Sequence, residues 1–421
     1  MNQGPDGGAT DTADVHATAP WPHRLLDVPA LRAAGTAPVP FHQFVLKLNS
    51  RCNLLCHYCY VYNAADDTWR GRPARVTRPV LERSATRIGE HVRTHGLREI
   101  RVELHGGEPL LGGPSTALAQ VDAVRTAVQA AAGQDCAVRV SVQTNGTLLT
   151  ADAVRQLAAA GVRVGVSLDG GRPEHNKRRV DHAGRPAWDA ATRGLAHLAR
   201  SPEAYAGILC TIDLDLDPED VYDSLMEFRP PALDLLLPHA NWAAPPPGKG
   251  PATVDGAPYG EWLARVFDRW FDEGHRRTRI RIFTEIIGLL LGFPSRAEAV
   301  GLSPVAAVLV ETDGAIEQVD SLKAAYAKAP STGMDVFRNS FDDVLEHPGI
   351  VARQLGALAL SRDCLTCPVV RVCGGGHYAH RYEKGTGFRN RSIYCTDLAL
   401  LIRHIARRIE PVLRSGPLLT D

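Results

Sequence analysis

Between residues 41 and 237 the chain repeats one unit six times: an apolar run of strand length, then a longer stretch of helical period. The strand runs fall at 41–48, 100–104, 137–142, 162–168, 206–212 and 233–237. Helical stretches lie between them, as at 78–95 and 150–160, each with a Thr ahead of an apolar pattern of period about 3.6. Such alternation argues for a parallel sheet covered by helices, an α/β fold. Six units are too few for a conventional eight-stranded closed barrel. A doubly wound open sheet and a partial barrel both satisfy the pattern, and periodicity does not choose between them.

Residues 1–38 are rich in Ala, Gly, Pro and Asp without a sustained period and read as a flexible N-terminal arm, because such a segment buries too little apolar area to offset its ordering entropy. The α/β unit then spans 39–240. Pro245, Pro246, Pro247, Gly248 and Gly250 suit neither a helix nor a central strand, so 241–300 reads as a linker with bridging helices at 261–273 and 283–291. In the remaining 301–421, runs at 308–311 and 315–319 flank a Thr312-Asp313-Gly314 turn and predict a hairpin, and 398–412 predicts a closing helix.

Charge and cysteine placement narrow the function. Lys and Arg number 47, as do Asp and Glu, so no overall positive field invites a phosphate backbone and no nucleic-acid partner is expected. No run approaches the ~20 apolar residues of a membrane helix. Met1 to Pro20 lacks the basic and apolar regions of a secretory signal, which makes the cytoplasm the expected compartment, with no membrane partner. There the nine cysteines are expected to serve metal binding or catalysis rather than disulfides. Cys136 and Cys210 stand alone in or beside apolar strands and read as small hydrophobes. The other seven form two sets.

The first set, Cys52-x3-Cys56-x2-Cys59, directly follows the first strand, at the carboxyl end where α/β folds place their ligands. Structural zinc wants four ligands, which three thiolates on one loop do not supply unless His57 joins them. A four-iron cluster held by three cysteines leaves one iron open instead. Here the chain resembles the radical S-adenosylmethionine (SAM) superfamily, whose signature is this loop after the first strand of a partial (β/α)6 TIM-like barrel. The resemblance implies that architecture, a [4Fe-4S] cluster on Cys52, Cys56 and Cys59, and SAM chelated at the open iron and cleaved to a 5′-deoxyadenosyl radical.

Further elements extend the resemblance. After the second strand, Gly106 and Gly107 permit close backbone approach to a ligand and Glu108 offers acceptors to a cation. With Pro109 they match the family's Gly-Gly-Glu-Pro element at the SAM ammonium. Thr144-Asn145-Gly146, by itself an Asn-Gly turn, resembles the family's element beside the nucleoside. Ser167-Leu168-Asp169-Gly170 and His175-Asn176-Lys177-Arg178-Arg179 are similar to the Ser-Leu-Asp-Gly...His-Asp-x-x-Arg pattern of the subgroup that modifies peptides and proteins, with Asn176 for the usual Asp. The match places Ser167 and Arg179 near the SAM carboxylate or ribose. The residues alone also allow 177–179 to be a solvated basic face.

The second set, Cys364-x2-Cys367-x5-Cys373 and Cys395, supplies four thiolates, enough to close a site completely, and zinc is chemically possible there. The arrangement resembles the C-terminal SPASM (twitch-like) domain of radical SAM peptide maturases. His377 stands where its next cysteine would be, and Val319 stands at the cysteine of its Gly-x4-Cys hairpin element. The resemblance therefore implies one auxiliary [4Fe-4S] cluster on these four cysteines and loss of the other, or about eight irons per chain in all. Asp320 is the expected catalytic residue, because an Asp at this place in the related sulfatase-maturing enzymes takes a proton from the substrate radical. The residue type alone equally describes a turn or surface carboxylate.

The stretches from Cys373 to Tyr382 and Tyr394 to Asp397 look like the maturases of ribosomally made peptides that include the FxsB-type enzymes and the cyclophane synthases. That likeness implies hydrogen abstraction from a β-carbon of a precursor peptide and attack on an aromatic ring, with net loss of two hydrogens. A proton acceptor such as Asp320 and a four-thiolate cluster able to take an electron suit such an oxidation. The alternative is a formylglycine-type oxidation of Cys or Ser on a sulfatase-like protein. A remoter alternative is a non-enzymatic iron–sulfur or zinc binding module. The implied partners are the precursor peptide and an electron donor of flavodoxin or ferredoxin type. The short arm leaves no room for a fused leader-binding domain of ~80 residues, so leader recognition falls to the barrel and linker surface or to a separate leader-binding protein.

Overall fold

The computed structural model describes residues 16, 18–133, 135–250, 253–273 and 278–415. The six expected strands form as β1 (Gln43–Asn49), β2 (Glu99–Gly106), β3 (Ala137–Thr144), β4 (Val162–Ser167), β5 (Tyr205–Thr211) and β6 (Ala232–Leu236), followed by the short β7 (Arg279–Ile280). Each is parallel to the next. The longer helices are α1 (Arg78–His95), α2 (Ser115–Ala132), α3 (Ala151–Ala159), α4 (Trp188–Leu198), α5 (Pro218–Met226), α6 (Pro258–Asp272), α7 (Arg281–Leu290) and α8 (Cys395–Ser415). Their starts follow capping chemistry: Thr150 accepts the Ala153 N–H and Asp217 accepts those of Glu219 and Asp220. Thr77 precedes α1 but makes no side-chain cap; Pro79 at the start sets that turn instead.

The strands present two chemically different faces. Phe44, Leu46, Leu48, Val102, Leu104, Val142 and Val164 point outward and are fully or almost fully buried in the main core. Each such side chain stabilises the fold by about 1.5–3 kcal/mol when removed from water. The alternate residues are mostly polar: Lys47 pairs with His105, and Glu103, Ser141 and Arg163 run in register across three strands beside Val45. A closed TIM barrel fills its centre with branched apolar side chains. This inner face cannot do so, and the partial (β/α)6 barrel keeps a polar lumen.

The expected hairpin forms as β8 (Ala307–Val310) and β9 (Ala315–Glu317), with β10 (Ser331–Asp335) beside it. Its first strand also joins the barrel sheet, parallel to β1 in the register Gln43↔Ala307 to Leu46↔Val310, giving the strand order β10-β9-β8-β1-β2-β3-β4-β5-β6-β7. The linker's Pro/Gly stretch has little regular structure but is fastened: fully buried Lys249 donates to Asp397 at 2.5 Å and to the Gly256 carbonyl at 2.8 Å.

The arm expected over 1–38 is not loose throughout. Residues 1–15 and 17 lie outside the described residues. Beyond them, Ala19 and Trp21 pack with Leu322, Tyr326 and Phe388, and a short helix follows at Val28–Ala33, capped by Asp27. One large aromatic side chain supplies the apolar burial that the segment's composition did not suggest. Among the described residues no helix is long and apolar enough to cross a membrane.

Candidate active site

The loops after β1, β2, β3 and β4 interlock through hydrogen bonds. Glu108 is fully buried: its Oε1 accepts from Leu110 N (2.9 Å) and Thr144 Oγ1 (2.7 Å), and its Oε2 from Asn145 N (2.8 Å). Burial pushes its carboxyl up, against these donors. A carboxylate has roughly four acceptor positions, so about one stays available to a ligand. Asn145 directs Nδ2 to Asn53 Oδ1 (2.9 Å) and, at 3.7 Å, to Cys52 Sγ. Ser167 accepts from Gln143 Nε2 at 2.9 Å.

The glycines are also required by the protein's own packing. A Cβ at Gly107 would stand 1.8 Å from the Tyr62 hydroxyl and 2.4 Å from the Arg51 carbonyl, and one at Gly106 would meet the Asn49 carbonyl at 2.6 Å. The cysteine-bearing loop fills the space that a side chain at either position would need.

Arg179 is buried and donates to Tyr58 Oη at 2.8 Å, and Tyr58 donates in turn to Asp169. Arg179 also lies close enough to draw the Cys56 thiol down, opposing burial, which raises it. The basic run is therefore not one solvated face: Arg179 turns inward and Arg178 pairs with Asp213 and Asp215. Asn176 replaces the usual Asp to good effect. Its amide donates to the Gly170 and Arg172 carbonyls (2.8 and 2.9 Å) while its oxygen accepts the Asp169 N–H (3.1 Å), a mixture no carboxylate provides. Tyr58 was the residue missed here; its place inside the cysteine motif was the available signal.

The thiols suit an iron–sulfur cluster better than a single ion. Around one tetrahedral zinc with bonds of ~2.3 Å, sulfurs stand about 3.8 Å apart. Among the described residues no three thiols of either set gather within 4.8 Å of one another, and His57 joins no such group. Cys52 nevertheless feels Cys56 and Cys59 electrostatically, and Cys395 feels Cys364 and Cys367. Burial pushes the Cys52 and Cys373 thiols up to about 12, so both need a bound metal to ionise near neutral pH. The Leu54 N–H already points at Cys52 Sγ from 3.3 Å, as suits a ligated thiolate. The two sets fit the two clusters that the sequence leads one to expect.

Asp320 opens a 3₁₀ turn, Asp320–Ala324, after β9. Its Oδ2 pairs with the buried Lys47 ammonium and lies 3.4 Å from His105 Nδ1, while Oδ1 has no partner. Burial alone would raise this carboxyl, but Lys47, His105 and Lys323 hold it far below the usual carboxylate range. It faces a cavity of about 550 Å³ whose wall includes Tyr60, the residue after Cys59, together with Glu103, His105, His239 and His377. Lys47 and His105 went unrecognised in the sequence, although a lysine inside an apolar strand marks a buried charge that needs a partner.

Comparison with known proteins accords with this geometry. Residues 46–224 match the model of the Radical SAM superfamily. A serine-type anaerobic sulfatase-maturating enzyme of Klebsiella aerogenes is 26% identical over 383 residues, covering 86% of this chain and 87% of that protein. Among solved structures, anSMEcpe with bound AdoMet and Kp18Cys peptide superposes with a TM-score of 0.73 at 22% identity, covering 89% of this chain and 99% of that one. Streptococcus suis SuiB bound to precursor peptide SuiA gives 0.54 at 14% identity, covering 87% and 78%.

Proposed function

We propose that this chain, whose residues 46–224 form a radical SAM domain and which is accordingly a radical SAM enzyme, oxidises a Cys or Ser side chain of a peptide or protein to an aldehyde. The likeness to sulfatase-maturating enzymes favours this outcome over the aromatic crosslink. When bound, a cluster on Cys52, Cys56 and Cys59 with SAM supplies the 5′-deoxyadenosyl radical, and a cluster on Cys364, Cys367, Cys373 and Cys395 supplies an electron sink. The chain's own residues do the rest. Glu108, Asn145, Ser167 and Arg179 hold the SAM side of the site. Asp320, kept ionised by Lys47 in the cavity wall, has an unpartnered Oδ1 and accepts the hydroxyl or thiol proton. That ionised carboxylate with one unpartnered oxygen, in a cavity wall shared with Tyr60 of the first thiol loop, is the observation that carries the reading.

The atoms balance as one C–H hydrogen to the adenosyl radical, one proton to Asp320 and one electron to the sink. Serine then gives the aldehyde directly, and cysteine gives a thioaldehyde that exchanges sulfur for the oxygen of water. A second reading, a C–C bond between a β-carbon and an aromatic ring in a precursor peptide, has one specific observation in its favour. Val319 and His377 both stand where a related domain would place cysteines, so the electron-accepting part of the enzyme has been remodelled.

The test is anaerobic turnover by the reconstituted, dithionite-reduced protein with SAM and peptides carrying Cys or Ser, and with aromatic-containing peptides. A hydrazide-reactive product, lost in Cys59→Ala, supports the aldehyde. A product two hydrogens lighter that is inert to hydrazide and lacks backbone fragments between two residues establishes the crosslink instead.

A further inference from the structure

We propose that His239, His377 and His380 form a binding site for one divalent transition-metal ion of the zinc or cobalt class, separate from both thiol sets. His239 follows β6, and His377 and His380 bracket the start of the 3₁₀ turn Tyr378–Arg381. Distant in sequence, the three rings place ligating nitrogens within 4.8 Å of one another, and no thiol belongs to the group.

The rings are built into the wall rather than left in solvent. His380 is 4% exposed, and neither of its ring nitrogens has a hydrogen-bond partner; the buried Nδ1 of His239 has none either. A neutral imidazole carries one donor and one acceptor, and each such group buried without a partner costs about 1–3 kcal/mol. Buried imidazole nitrogens without a partner on two of three neighbouring rings are what an unliganded metal site offers. Tyr60 packs edge-on to His239 at 4.6 Å between centroids, and Tyr394 to His380 at 4.8 Å, which restricts the tilt of both rings.

His377 adds an outer partner. Its Nε2 lies 3.6 Å from Glu298, which Arg353 holds at 2.8 Å, and its Nδ1 accepts the Ala379 N–H at 3.2 Å. Ligation through Nδ1 takes the place of the Ala379 N–H while Nε2–H stays directed at Glu298, the arrangement that orients metal-bound histidines. With metal–nitrogen bonds of ~2.0–2.1 Å, tetrahedral ligands stand about 3.3 Å apart, so the rings need to close by roughly 1.5 Å at most. Imidazole ligands suit zinc, copper, nickel or iron, and an all-histidine set without a thiolate favours a single ion over a cluster. Three protein ligands leave a coordination position open. All three histidines line the cavity that Asp320 faces, so that position is available to an oxygen or nitrogen donor of a bound peptide.

The site stands on these side chains alone and does not depend on which bond the enzyme makes. The test uses protein with its clusters reconstituted, desalted after EDTA treatment and titrated anaerobically with cobalt(II) chloride, without SAM or peptide. The expected result is about one cobalt per chain with ligand-field absorption and no thiolate-to-cobalt charge transfer, displaced by zinc. His380→Ala and His239→Ala should each lose that equivalent while iron and sulfide contents stay unchanged. Equal cobalt binding by wild type and variants, a thiolate charge-transfer band, or no cobalt bound by wild type overturns the proposal. Should either variant fail to load its clusters, X-ray absorption of the wild-type cobalt protein decides: a nitrogen/oxygen shell supports the site and a sulfur shell refutes it.

Discussion

Replacing Lys323 by Met keeps the side chain's length and removes one charge from a fully buried site that holds three acids. Its ammonium lies 3.2 Å from Glu311, 3.4 Å from Glu317 and 3.4 Å from Asp66, and Arg72 is the other cation, 2.5 Å from Glu317. Truncating one partner of such a buried network costs about 3–5 kcal/mol, because the remaining charges are left without compensation. At about 2 °C per kcal/mol for a large domain, the apparent Tm should fall by about 6–10 °C. The sign of the pH dependence follows from Glu317. Burial pushes its carboxyl up to about 7, and Lys323 is the strongest influence pulling it down. A carboxyl raised above its unfolded value of ~4.3 destabilises the fold progressively as pH rises from that value toward the folded one. Without Lys323 the folded value climbs further, so the variant's deficit should be smaller near pH 6 than near pH 8. Thermal unfolding of the reconstituted protein at both pH values measures this. A shift under about 2 °C, or a larger deficit at the lower pH, would refute the reasoning. Because the same 3₁₀ turn carries Asp320, the variant should also slow product formation.

Gly107→Ala puts a Cβ into the Tyr62 hydroxyl and Arg51 carbonyl, so the cysteine loop must move and SAM affinity should fall about tenfold or more, read by equilibrium binding. Asp320→Asn keeps the shape but removes the proton acceptor. Product formation should drop by about 10²–10⁴ while 5′-deoxyadenosine still appears, and unchanged product would exclude Asp320 as the base. Cys395→Ala should lower the iron content from about eight to about four per chain and leave SAM cleavage intact; about twelve irons in the wild type would contradict a single auxiliary cluster.

The elements legible in the sequence were those whose determinants are local. Helix α1 was readable to the residue because an apolar stripe of eighteen residues ends at Gly96, whose φ of 59° stops the helix. The first thiol set was readable because its three ligands sit on one short loop. Long-range juxtapositions carry no such local mark. Nothing near Ala307–Val310 says that it will pair with β1 rather than only with β9. Nor does anything near His239 announce a meeting with His377 and His380. The glycines of the second loop show in sequence that a close approach is needed but not that the cysteine loop makes one.

The placement of Asp320 shows how that strand addition reaches the chemistry. With β8 parallel to β1, the chain turns at Asp313 and returns as β9, so the next turn is delivered beside the inner face of β1 rather than to solvent. That face offers Lys47, which the alternation of β1 points into the lumen. An ammonium buried there without a partner would be costly. Asp320 provides the compensation, and the pairing uses only Oδ2. The same contact that makes Lys47 tolerable therefore holds Asp320 ionised and leaves its second oxygen without a partner. An apolar residue at position 47 would remove the strongest influence keeping that carboxyl ionised and would raise its proton affinity. Lys47→Met should accordingly move the acid limb of the product-formation pH profile upward, whereas a purely structural contact would lower the rate at every pH without moving that limb.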